Sequence, residues 1–85
     1  MTDRGRLVHQ LRNTPVRILV KALERDGFSL KRKTQNGSRI YGHPDWRLTV
    51  VHYHRGSDTL TRKTLDSLLE ATGWTIEDAK RLRLV

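Results

Sequence analysis

Residues 28–54, FSLKRKTQNGSRIYGHPDWRLTVVHYH, decide the fold. From Phe28 to Arg32 apolar and polar side chains alternate, the pattern of a half-buried strand. Asn36-Gly37 is the strongest short hairpin signal, because both central residues of a type I′ turn need positive φ. A second strand is expected over about Ser38–Gly42. His43-Pro44-Asp45-Trp46 reads as the next turn: Pro presets φ, and Asp hydrogen-bonds to its own backbone. A third strand follows over about Arg47–Tyr53, supported by the β-branched run Thr49-Val50-Val51.

Helices flank these strands. Thr14-Pro15 is a helix start, with Thr available to cap and Pro suited to the first helical position. Val16, Leu19, Val20 and Leu23 then recur at helical spacing, and Gly27 ends a helix over 15–26. After the loop Arg55-Gly56-Ser57-Asp58, Thr61 caps a second helix with the stripe Leu65, Leu68, Leu69 and Thr72, stopped by Gly73. Thr75 to Asp78 opens a short last helix through a capping-box variant. Trp74 is expected in the core, and Trp46 in its turn is expected to be exposed. Residues 1–13 are polar and basic and read as a flexible or loosely docked arm, with a short helix as the alternative. Residues 14–85 then form a single domain. The fold class is α+β: a three-stranded antiparallel sheet with helices on one face and the other face open.

The chain has 85 residues and a formal net charge of +8. Such a charge implies a polyanionic partner, most often nucleic acid, although an acidic protein suits the same surface. The excess is mainly N-terminal: residues 1–33 hold nine Lys/Arg against three acids. The absence of cysteine excludes disulfides and thiolate metal sites and fits a reducing cytosol. No run has the length of a secretory leader or of a membrane span, so a cytoplasmic location without membrane contact is expected.

Three of the four histidines, His43, His52 and His54, fall within the strand region. Residues two apart on a strand share a face, so His52 and His54 point the same way. Periodicity leaves open which face is buried; a buried Val51/Tyr53 face exposes both histidines. A metal reading takes His-x-His with His43 as third ligand, but this spacing is short and common, and no metal or other cofactor is expected. An acid–base reading is stronger. Cleaving RNA without a metal needs a base for the 2′-OH and an acid for the leaving oxygen, and histidine can serve as either. His52 and His54 are the first candidates and His43 the next. Lys31, Arg32, Lys33, Arg39, Arg55 and Lys63 are candidate phosphate contacts. Tyr41 either stacks a base or completes the core.

From Pro15 to Leu82 the chain resembles the HicA/YcfA family, the small toxins of HicA–HicB toxin–antitoxin pairs. The resemblance rests on "ALERDGF" (22–28), the basic residues after it, Gly37-Ser38, "RIYGHPD" (39–45), "LTVVHYH" (48–54) and "DTLTRKTLDSLLEATGWT" (58–75). It implies a fold like a double-stranded-RNA-binding domain, α-β-β-β-α. It further implies a metal-independent mRNA interferase, neutralised by an acidic HicB-like antitoxin. The family's usual Gly-Ser-His is interrupted here: its histidine, the residue generally thought catalytic, falls on Ser38 or Arg39. Trp46 and Lys63 stand where glycines are usual. Three explanations stay open. The chain is a non-catalytic RNA-binding or antitoxin-binding relative, or catalysis has moved to His43, His52 or His54, or the toxic residue has been removed. Arg39 stays protonated and cannot act as a base at neutral pH.

Overall fold

The computed structural model describes the backbone of residues 3–85 and the side chains from Arg4 onward. The elements are α1 (Asp3–Leu11), α2 (Val16–Asp26), β1 (Ser29–Lys33), β2 (Ser38–Gly42), β3 (Leu48–His52), α3 (Arg62–Thr72) and α4 (Ile76–Arg81). The strands form one antiparallel sheet in the order β1-β2-β3. The α+β class and the helix–three strands–helix layout expected from the sequence are those of the molecule.

The helices share one core. Val16, Leu19, Leu23, Leu65, Leu68 and Leu69 are all buried, together with Trp74. From the sheet, Tyr41, Thr49 and Val51 are buried as well. On the opposite side Leu48 and Val50 stay 58% and 52% exposed. One sheet face therefore meets the helices and the other is open.

Local chemistry explains the ends. Thr61 accepts from the Thr64 N–H, as an N-cap does, and Thr75 with Asp78 forms a full capping box. The start of α2 differs from expectation. Thr14 does not cap it; Pro15 takes the N-cap place with no side-chain bond. The free N–H groups of Val16 and Arg17 donate instead to the carbonyls of Asp58 (2.7 Å) and Gly56 (3.0 Å). A neighbouring loop thus satisfies the orphan donors that every helix start exposes.

Three other expectations are corrected. The arm at residues 1–13 is, over its described part, the short helix α1. Leu7, Val8 and Leu11 are buried, and Arg4 pairs with Asp66 on α3 at 3.1 Å. Three apolar residues make too short a stripe to stand out among charged neighbours. Met1 and Thr2 lie outside the described residues.

β1 is not half-buried: all five of its residues are exposed, including Leu30. Its register slips between Leu30 and Arg32, a β-bulge that breaks the two-residue alternation.

The Asn36-Gly37 turn is not type I′. Only Gly37 has positive φ (91°), and the Gly37 N–H donates to the Thr34 carbonyl. Thr34 and Ser38 close a three-residue loop through Thr34 N–H to the Ser38 carbonyl (2.8 Å). A type I turn followed by one left-handed residue gives this form. The second turn repeats it. His43 N–H donates to the Arg47 carbonyl and Trp46 N–H to the His43 carbonyl, both at 2.9 Å. Here the left-handed residue is Trp46 (φ 76°).

Candidate active site at the Gly37–Ser38 hairpin

The length of the second turn fixes the register of β2 on β3. His43 faces Arg47, so counting back places Ser38 directly opposite His52. Directly opposed antiparallel residues hold their side chains side by side. Ser38 Oγ and His52 Nδ1 lie 3.0 Å apart. The His54 ring stands edge-on to His52, with centroids 5.2 Å apart. His52 and His54 are both exposed, as a buried Val51/Tyr53 face requires.

Gly37 makes room for this cluster. A Cβ there would lie 3.2 Å from the Tyr53 carbonyl oxygen and 3.4 Å from His54 Nδ1, on a backbone already at positive φ. His54 is steadied from behind. Asp58 accepts from the His54 N–H (3.2 Å) and the Arg55 N–H (3.0 Å). The bond from Arg55 leads in holding the Asp58 carboxyl below its ordinary value; desolvation opposes it.

A hydroxyl both donates and accepts. If Nδ1–H donates to Ser38, the exposed Nε2 is a free base. If Ser38 donates to Nδ1, Nε2 carries the proton of the neutral ring and is a hydrogen-bond donor; the general-acid form is the imidazolium, in which both nitrogens donate. The Ser38 contact orients the ring without fixing its tautomer. Among the described residues His52 Nε2 makes no hydrogen bond, so it is open to a substrate.

The three candidate histidines do not form one site. His43 lies five residues along β2 from Ser38, about 17 Å away at the rise of a strand. Its Nε2 meets the Asp26 carbonyl at 2.7 Å. A carbonyl only accepts, so Nε2 keeps its proton. Nδ1 accepts from the Asp45 N–H (3.1 Å) and lies 2.9 Å from Asp45 Oδ1. The ring also packs edge-on against Phe28. His43 is a brace at the end of α2, which corrects its place as an acid–base candidate beside His52. Gly27 permits the approach, since a Cβ there would sit 2.8 Å from His43 Nε2.

Around His43 lies a network centred on Asp26, whose side chain is only 8% exposed. Trp74 Nε1 donates to it at 2.9 Å and Arg81 at 2.8 Å, and Arg47 lies 3.2 Å away. Burial raises the Asp26 pKa. The hydrogen bonds from Trp74 and Arg81 and the charges of Arg47 and Arg81 outweigh it, so the carboxyl sits below its ordinary value. Arg47 also donates to the Thr72 carbonyl.

Two other candidates turn inward. Tyr41 is buried at 5% exposure, and burial pushes its phenol up. It completes the core and does not stack a base. Arg39 donates to the carbonyls of Gly37 and Tyr53, each at 3.1 Å, and its guanidinium lies 4.1 Å from the Tyr53 ring centroid. It clamps the hairpin to the end of β3. Lys31, Arg32, Lys33, Arg55 and Lys63 are exposed. Arg32, Lys33, Asn36 and Ser38 border an open depression of about 570 Å³, and Ser38 connects it to His52. Lys63 lies on α3 beside Thr49 and Val50, away from this depression. Every acid of the chain falls outside residues 27–44 and 47–57, so the strands themselves carry none.

The sequence reading missed the Ser38–His52 pair. The signal was present in the turn: a three-residue loop at Pro44-Asp45-Trp46 sets the pairing that brings them together. Among the described residues no helix is long and apolar enough to cross a membrane. No curated protein matches the chain. The family described as HicA toxin of bacterial toxin-antitoxin matches it over residues 16–74. That span runs from the start of α2 through the histidine hairpin to Trp74, and the chain belongs to this HicA toxin family, whose members act opposite an antitoxin.

Proposed function

We propose that this toxin is a metal-independent endoribonuclease acting on mRNA in the cytoplasm, with His52 and His54 as its acid–base pair. One histidine takes the proton from a ribose 2′-OH. That oxygen attacks phosphorus, the bond to the 5′-oxygen breaks, and the other histidine protonates the leaving oxygen. Arg32 and Lys33 beside the depression, with Lys31 and Arg55, supply phosphate contacts. The observation that carries this reading is the 3.0 Å contact between His52 Nδ1 and Ser38. Ser38 is one of the two positions on which the family's histidine falls, so His52 brings an imidazole to the place where the usual one is missing. An acidic HicB-like antitoxin is the partner this surface fits, since it would cover a sheet that carries cations and no acids.

The interrupted Gly-Ser-His favours a second reading, a domain that binds RNA or antitoxin without cutting. RNA cleavage in EDTA, by the parent and by His43→Ala, His52→Ala and His54→Ala variants, separates the two. The nuclease reading expects cutting by the parent, loss in the His52 and His54 variants, and retention in the folded fraction of the His43 variant. No cutting by the parent, with salt-dependent RNA retention on a filter, leaves the binding domain.

A further inference from the structure

At the opposite end of the open face from His52 stands Trp46. It is 92% exposed, and its backbone holds φ at 76°. A bulky residue in that conformation is strained, and glycine is the residue that fits without cost. A large apolar ring in water and a strained backbone are two separate penalties at one position. Neither is offset by packing, since the ring is almost wholly in solvent.

The surroundings are specific. Lys31, His43, Arg47 and Leu48 border, with Trp46, a depression of about 300 Å³. Lys31 reaches it because Gly42 has no side chain. A Cβ on Gly42 would lie 3.0 Å from the Lys31 Cε and 3.1 Å from its Cγ. The Lys31 stem therefore lies across Gly42, on the face that also carries Leu48. From there Val50 and Ile40 continue toward Ser38 and His52, with Arg32 alongside. From Leu48, beside the turn that carries Trp46, to His52 the path runs the length of β3, about 14 Å at the rise of a strand. It is apolar along its middle, cationic on its β1 side, and aromatic beyond its Leu48 end.

We infer that Trp46 is a stacking platform for one unpaired base of a single-stranded RNA whose backbone crosses the open sheet face toward His52. Every base has a face that stacks on an indole, while the backbone follows the cations. A duplex hides its base faces and has none to offer. Charge complementarity selects this occupant, since the strands carry cations and no acids. The inference deepens the proposed function by naming the substrate's form. It rests on RNA crossing the sheet face and not on which group moves the proton.

The chain has two tryptophans, and the second reports on nothing at the surface: Trp74 is buried and bonded to Asp26. Titrating the intact protein with a short 2′-O-methylated single strand, which cannot be cut, should quench the Trp46 emission. The same strand annealed to its complement should quench it far less. Trp46→Gly should weaken single-strand binding about 5- to 100-fold, the range of base–aromatic stacking, and Trp46→Phe should keep most of it. Because glycine fits the backbone, Trp46→Gly stays folded, and a thermal melt verifies this. Equal affinity of parent and Trp46→Gly would overturn the inference even if the parent cuts RNA. Equal quenching by strand and duplex would overturn it too. So would an emission shift that follows protein concentration alone, which assigns Trp46 to a second copy of the chain. Conversely, Trp46-dependent binding by a protein that cuts nothing would sink the nuclease reading and leave this one standing.

Discussion

At one end of the β2–β3 ribbon, His43 has its Nε2 held by a carbonyl and its Nδ1 held by Asp45, with Phe28 against the ring. At the other end, His52 touches a serine hydroxyl through Nδ1 and turns its Nε2 to solvent. The two side chains differ in their partners and not in themselves. A carbonyl fixes a tautomer because it only accepts; a hydroxyl leaves both tautomers available. The same residue type is a fastener in one place and, in the proposed reaction, a proton carrier in the other, and the partner atom makes the difference.

The largest effect expected from this contrast is on rate. His52→Ala should lower RNA cleavage by about 10²- to 10⁴-fold, the usual contribution of one acid–base group. Its stability should stay within about 0.5 kcal/mol of the parent, as for an exposed site. A kinetic assay beside a denaturant melt reads both. A large loss of stability would erase the distinction between the two ends.

The mirror experiment is at the other end. Asp26→Ala removes the shared partner of Trp74, Arg81 and Arg47. It should cost about 2–4 kcal/mol, somewhat below a fully buried pair because Arg81 is half exposed. Urea unfolding measures it. A cost under about 1 kcal/mol would mean that the network merely decorates the fold.

That carboxylate also sets a pH dependence. Its folded-state pKa is depressed, so its contribution is fully present above the ordinary carboxylate value. It is lost as pH falls through the depressed one. The parent should lose stability in that acid window, and Asp26→Asn should show a flatter profile there. Parallel profiles for the two proteins would remove Asp26 as the cause.

The smallest effect expected is a gain. Trp46→Gly relieves a left-handed tryptophan but loosens the unfolded chain. The balance should raise stability by up to about 1 kcal/mol. A loss in differential scanning calorimetry would show that the exposed ring contributes packing after all.

Much of the fold was legible because local rules act within a few residues. Thr61, Thr75 with Asp78, and the stripes of α2 and α3 each need only neighbours in the chain, and each holds. What failed needed partners far away. Thr14 lost its capping place because the carbonyls of Gly56 and Asp58 already reach the start of α2. Leu30 was expected to be buried, but the bulge beside it broke the alternation. Of the site, the common side of His52 and His54 followed from a period of two. The burial of Val51 over Val50 did not, because both faces of β3 carry apolar residues. Lys31, Arg32 and Lys33 stay exposed, whereas Arg39 turned inward to two carbonyls that the sequence does not bring to mind.

The bulge at β1 has a consequence for the molecule's dealings with its own copies. β1 is an outer strand, exposed along its whole length, and such a strand offers unpaired backbone groups to any passing chain. Here the ladder is interrupted at Lys31, and three successive cations follow one another along that rim. A second molecule approaching edge to edge meets a misaligned row of donors and a wall of like charge. The lysines and arginine proposed as phosphate contacts thus also disfavour edge-to-edge pairing, and neutralising them would weaken that protection as well as the proposed contacts.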